Sequence, residues 1–387
     1  MHALDEAFAA AEPAVGADRF RQLYQRTPAL RQALRSRWSQ YARETTDLSV
    51  LEALIALRDE LFGDDAMTSG GAAGALERTG GWQKIVDSFP NERLEQAVAL
   101  FALGRTSEVL QRFSDVPFLR DEALMRLGRI DELRPTDDLY CDALLLLDEV
   151  EEGLRRFPDD PDLLLAGGRP EDVLARSSDK MYRAMALRRL GRLDEAMALG
   201  DVASLLYGDR VDEALERAKV LDQGYMAWAY RTLAAYVAGD RDKWQKSRER
   251  LDAMPFSWRW HGAWPSKFLV MPFIARLEGD SDAVQRACRD LASMPEVYFQ
   301  VPSYFARLVL GEITPEQFDA QPQRFGRDAR KTIALGVRSE LENRPDEALG
   351  HYRRYVAEPI ERRRLDTDTD DPVVDRFVAW RASALNR

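Results

Sequence analysis

The stretch FSWRWHGAWP, Phe256–Pro265, holds three tryptophans, an arginine and a histidine. Together with Trp228 and Trp244 it places five of the eight tryptophans between positions 228 and 264. Trp and Arg dominate the energetic centres of protein interfaces, because each brings a large face and a polar handle to a desolvated contact. A partner-binding surface made of Trp228, Trp244, Trp258, Arg259, Trp260, His261 and Trp264 is therefore expected. The competing reading is an aromatic plug between helices, with its indole N–H groups bonded to backbone. Indoles at i and i+2, as Trp258 and Trp260 are, cannot share one helix face. One tryptophan is thus expected to anchor the fold while another is reached from a groove. His261 has no evident partner group for acid–base catalysis.

A second chemical feature is Arg19–Arg43, which carries seven arginines and no acid. The stripe Leu30, Leu34, Trp38 and Tyr41 makes one face core-seeking and turns the arginines outward. Arg31, Arg35 and Arg37 form a secondary basic patch that could meet phosphates or an acidic protein. The alternative is pairing within the chain, since Glu44–Glu77 supplies eight acids against Arg58 alone. A net charge of −11 argues against a nucleic-acid partner for the whole surface. DTDTDD, Asp366–Asp371, lacks the Gly and Glu of a calcium-binding loop and reads instead as an acidic approach to a helix dipole.

Signatures of enzyme chemistry are missing. GxSxG, HExxH, GxxxxGK[ST] and GxGxxG do not occur, and His2, His261 and His351 are the only histidines. Cys141 and Cys288 stand far apart, with no spacing that suggests zinc or a disulfide framework. No catalysis, cofactor or metal is expected.

The elements that would carry these residues announce themselves through a recurrent phrase. LGRLDEAMAL (190–199) has variants at 103–110, 127–133, 208–215, 239–244, 279–284 and 343–349. Each offers a Gly or Asn able to end a helix at positive φ, then an acidic start for the next helix. Hairpin turns are expected at Gly104, Gly128, Gly191, Gly208, Gly239 and Gly279. In Lys180–Leu190, Met181, Met185 and Leu190 recur at helical spacing with Tyr182 and Ala186. Pro255, Pro295 and Pro359 each follow a turn residue by 16 positions, room for one helix that proline stops. Turns nearer the amino end come every 20–24 residues from Gly104 to Gly191, so helices there must be short.

Helix–turn–helix units with spacings of 32–40 residues, an aromatic in the first helix (Trp228, Phe268) and a proline after the second resemble the tetratricopeptide repeat over roughly residues 90–360. The resemblance implies an all-α fold: an α-solenoid of TPR-like antiparallel helical hairpins in a right-handed superhelix. It also implies a concave face that binds a protein or peptide. The expected domains are a helical bundle or cap at 1–62, a Gly-rich linker or loop at 63–81, and the solenoid at 82–387, closed by a capping helix over Pro372–Leu385.

Hydrophobic content of 45% and charged content of 31% suit a folded chain. No apolar run approaches a membrane span, and the acidic amino terminus does not read as a signal peptide. The expected setting is cytoplasmic, with no membrane partner. The expected function is a non-catalytic adaptor or regulatory subunit that binds another protein or peptide; the oligomeric state is left open. The alternative is a ligand-responsive regulator whose basic amino-terminal bundle is the effector, resembling in layout bacterial regulators that join an effector to such an array.

Overall fold

The computed structural model describes residues 13–44, 48–62, 72–73, 76, 81–134, 139–218, 221–254, 264–293, 301–321, 326–363 and 371–386. Among these the secondary structure is helical, with 24 α-helices and no strand. They fall into two compact units, residues 1–123 and residues 124–294 with 299–387.

The recurrent phrase explains the architecture. Ten turns among the described residues, at positions 104, 128, 148, 168, 191, 209, 239, 279, 311 and 343, close in the same way. At the first, Gly104 N donates to the Phe101 carbonyl at 3.0 Å and Arg105 N to the Leu100 carbonyl at 2.8 Å. This pair of bonds satisfies the last carbonyls of a helix and requires one residue at positive φ. Glycine supplies it at most turns, while Asp148, Asp209 and Asn343 take φ of 61°, 56° and 57°. At six of the ten an Arg follows the turn, heads the next helix and pairs with an acid three residues on. Examples are Arg105–Glu108, Arg169–Asp172 and Arg192–Glu195, each at 2.6 Å. Solvent screens these pairs, so they set where the helix starts rather than carry its stability.

Around Gly191, at φ 71°, a Cβ would meet nothing within 4 Å. Gly191→Ala therefore isolates backbone strain, and urea unfolding is expected to show a loss of about 1–2 kcal/mol. One turn differs from expectation. Gly208 keeps φ −87° as the C-cap residue just after its helix, and Asp209 makes the reversal. Gly208 is needed for space, because a Cβ there would run into the Met197 sulfur.

In the first unit, α1 (Pro13–Arg26), α2 (Arg31–Glu44) and α3 (Leu48–Leu61) surround an aromatic cluster. Phe62 lies edge-on to Tyr24 and Trp38, with centroids 5.1 and 5.7 Å away. α4 (Trp82–Ser88), α5 (Arg93–Ala102), α6 (Thr106–Arg112) and α7 (Pro117–Arg126) follow. The change of compact unit falls inside α7. Buried Arg58 of α3 lies 4.2 Å from the Phe89 ring and donates to the Ser88 carbonyl, which ties residues on both sides of the expected linker. Ala72, Ala73 and Leu76, within that expected linker, are fully buried. Leu30 departs from the expected apolar stripe: it sits in a 3-10 turn and is exposed.

The second unit opens with short helices, as the close turns require. These are α8 (Tyr140–Leu146), α9 (Val150–Arg156), α10 (Pro161–Ala166), α11 (Pro170–Arg176), α12 (Lys180–Arg189), α13 (Leu193–Ala198), α14 (Val202–Tyr207) and α15 (Val211–Arg217). Each packs on the next, and every second one (α8, α10, α12, α14) also on the next but one. On α12 the buried residues are Ala184–Arg188, whereas Met181 faces out. Longer helices follow: α16 (Leu221–Val237), α17 (Arg241–Asp252), a π-helical turn (Ser266–Val270) running into α18 (Met271–Leu277), α19 (Ala283–Ala292), α20 (Val301–Leu310), α21 (Pro315–Asp319), α22 (Arg327–Leu341), α23 (Pro345–Ala357) and α24 (Pro372–Leu385). Asp371 caps α24 by accepting from Val373 N and Val374 N at 3.0 and 3.1 Å. This bears out the dipole role read for the end of the acidic run; Asp366–Asp370 lie outside the described residues.

The last helix does more than cover its neighbour. α24 packs on α23 and also on α14, α16 and the π-turn. Tyr207 donates to Asp375 at 2.6 Å, and Tyr355 donates to the same carboxylate at 2.8 Å. Arg376 donates to Tyr230 Oη at 2.6 Å, and Phe377 lies edge-on to Phe273 at 5.2 Å. One apolar core therefore runs continuously from Val202 to Val378.

Candidate functional site

The α16–α17 hairpin places the expected aromatic residues. Trp228, midway along α16, is half-buried, and the Arg231 guanidinium stands 5.5 Å from its ring. Arg231 is held there by Asp212 of α15 at 2.6 Å. Asp240 ends the intervening turn and accepts from Lys243 N at 3.0 Å, which fixes the first turn of α17. Trp228, Arg231, Lys243, Lys246 and Ser247 then line a cleft of about 350 Å³ with Asp240 and Asp242. The Ser247 hydroxyl donates to the Lys243 carbonyl at 2.7 Å and so faces its own helix. Lys243 and Lys246 are exposed and have no ion-pair partner among the described residues. The cleft thus presents an indole face backed by a cation, next to two uncommitted ammonium groups. Such a surface suits an acidic segment with an aromatic or apolar anchor.

Trp244 does not join that cleft. It packs on Tyr236 with centroids 5.7 Å apart, flanked by Arg241 and Arg248 at 5.8 and 6.0 Å. Trp264 is buried, edge-on to Phe305 at 5.2 Å. Its placement in the expected binding surface is corrected: burial makes it a core residue, in line with the plug reading. Trp258, Arg259, Trp260 and His261 lie outside the described residues.

The basic segment shows pairing within the chain at one position and aromatic contacts at others. Arg21 realises the pairing with the acidic stretch, meeting Glu60 at 2.7 Å. Arg31 and Arg35 turn to aromatic groups instead. Arg31 lies 5.2 Å from the Tyr24 ring, and Arg35 donates to Tyr24 Oη at 3.0 Å and stands 5.4 Å from Phe62. Arg37 is half-buried on the same helix. These positions use the planar guanidinium for stacking, a role lysine would not fill.

A second cleft, of about 330 Å³, opens on the opposite flank of α17. Tyr225, Arg248, Asp252, Met254, Lys267 and Arg286 are among the groups around it. The sequence offered no motif for this site, because its residues come from α16, α17, the π-turn, α18 and α19. A π-turn widens the helix by one residue and often marks functional sites. Here Pro272, which has no N–H to donate to the preceding turn, gives that widening a local cause. Burial lowers the affinity of the Lys267 amine for its proton, and Asp252 opposes the shift.

The thiols are not poised for nucleophilic chemistry. Burial pushes Cys288 up to about 12. Burial also raises Cys141, assisted by the Asp160 carboxylate. A protonated thiol is a poor nucleophile. Among the described residues no helix is long and apolar enough to cross a membrane. Comparison with known proteins finds no matching family model, curated protein or solved structure.

Proposed function

We propose that this chain is a non-catalytic adaptor or regulatory subunit that binds an acidic segment of another protein through the Trp228 cleft. The observation that carries this reading is the half-buried Trp228, backed by Arg231, beside Lys243 and Lys246 without ion-pair partners. An acidic side chain would meet the lysines while an apolar one covers the indole. In this reading the fold is a TPR-like α-solenoid with a right-handed superhelix. Neighbour-on-neighbour packing from α8 to α17 supports it. The return of α24 onto α14 and α16 is a feature that an open array lacks.

The test compares proteins captured from the native cell by the full chain, by Trp228→Ala and by the Lys243→Glu, Lys246→Glu double variant. All three residues are at least partly exposed, so melting temperatures should stay close to the parent. A bound protein is expected to weaken by about 2 kcal/mol or more in each variant, roughly thirtyfold in affinity. Identical capture by all three would move the binding surface away from this cleft.

A further inference from the structure

The outer face of α23 (Pro345–Ala357) shares no residue with either cleft, and nothing about it depends on the adaptor reading. α23 buries Ala348, Tyr352 and Tyr355 and packs on α22 and α24. Asp346, Glu347, Gly350, Arg353 and Arg354 stay exposed. Glycine in a helix interior lowers stability relative to alanine, so its presence there calls for a cause. At Gly153 and Gly336 the cause is space: a Cβ would run into Leu163 and Tyr352, each at 2.6 Å. At Gly350 a Cβ would meet nothing within 4 Å, and the backbone is helical. Neither strain nor packing within the chain calls for a glycine at this position.

The charges around Gly350 are arranged symmetrically. Asp346 and Glu347 lie four and three residues before it, Arg353 and Arg354 three and four after. All four share its face, since residues three and four apart are neighbours on a helix. Two are engaged: Glu347 pairs with Arg344, and Arg353 donates to Asn386. Asp346 and Arg354 have no ion-pair partner among the described residues. They cannot meet each other, being about 12 Å apart along the axis.

We propose that this face is a contact between two copies of the chain, their α23 helices crossing antiparallel at Gly350. A two-fold axis there brings Asp346 of each copy to Arg354 of the other, so both charges gain a partner at once. The missing side chain lets the two backbones approach, because the residues at a crossing set the separation of packed helices. Half-buried Leu349 and Val356, 46% exposed, border the face and supply apolar area. The helix dipole by itself also favours acids first and bases last, but it has no use for a glycine between them. Exposed ion pairs give orientation more than affinity, and one helix crossing is small beside a standard interface. The dimer is therefore weak and concentration-dependent.

Sedimentation equilibrium of the full chain from about 1 µM to about 1 mM reads such a dimer. The parent is expected to reach a dimer and no larger species, because a two-fold contact closes on itself. Gly350→Gln should weaken dimerisation about tenfold or more while the melting temperature holds or rises, since the site is open and glutamine is the better helix former. Asp346→Lys and Arg354→Glu should each weaken it about tenfold or more through like charges across the axis. An equimolar mixture of those two variants should dimerise again, because opposite charges then face each other at both ends of the crossing. A parent that stays monomeric over the whole range overturns the proposal. So does a dimer that Gly350→Gln leaves unchanged, which would lie on another surface. A mixture no better than either variant alone overturns the antiparallel pairing.

Discussion

A chain ending at Asp371, and so lacking α24, should fail to fold residues 124–371 into a cooperative unit. The helix delivers Val373, Val374, Phe377 and Val378 to the core with no exposed surface left on any of them. Burying an apolar side chain of this size contributes about 1.5–3 kcal/mol, so four contribute on the order of 6–12 kcal/mol. That is comparable to the whole stability of a typical domain, about 5–15 kcal/mol. The truncation also strips Asp375 from Tyr207 and Tyr355, leaving two phenols without their carboxylate. Near-ultraviolet circular dichroism and dye binding should report lost packing and exposed apolar surface. In an open repeat array, removal of a terminal helix shortens the stack and leaves the rest folded. A truncated chain with an intact cooperative transition would show that the return contacts of α24 are incidental.

The second large effect concerns the ion pair inside this unit. Arg381 meets Glu340 through Nε at 3.0 Å and Nη2 at 2.5 Å, with side-chain exposures of 9% and 6%. Phe273 and Trp380 present their rings to the guanidinium at 5.1 and 4.9 Å. Beside the pair, fully buried Tyr352 keeps its phenol protonated, held so by burial and by the Glu340 charge. Glu340→Ala leaves a cation in this apolar setting, and urea unfolding should show a loss of about 3–5 kcal/mol. Replacing both partners, Glu340→Met with Arg381→Met, should cost much less than the single change, because no charge is then stranded. Equal losses in the single and double variants would mean that packing volume, not charge, governs the site.

How much of this was legible in the sequence depends on where the physics lies. Turns were legible because positive φ selects Gly, Asn or Asp, and five of the six expected glycines make the reversal themselves. The exception is Gly208, where the next residue, Asp209, takes the positive φ instead. The Arg that follows six of the ten turns stands in the sequence in plain view, yet its pairing shows itself only once the partners are seen in three dimensions. Trp228 stood out in the sequence as one of five tryptophans between 228 and 264, but its half-buried position beside Arg231 comes from tertiary packing. Trp264 was legible only as one of two alternatives, since composition does not distinguish a plug from a surface. The Lys267 cleft was not legible, because it is assembled from five elements with no common spacing. Asp375 and Arg376 look like ordinary surface charges on the last helix. Their partners Tyr207, Asp209 and Tyr230 lie far upstream, beyond the reach of any local pattern.

The return of α24 also sets a timetable for synthesis. Tyr207 and Asp375 are separated by 168 positions. At roughly 5–20 residues per second, about 8–34 s pass between the making of one and of the other. Throughout that interval the faces of α14 and α16 that α24 covers are open to water and to other nascent chains. Long loops that must close before they reward the chain also slow the final step. The local turns can form as each helix leaves the ribosome, but the core they share stays unsealed until residues 372–385 emerge. A holding chaperone would act in that window.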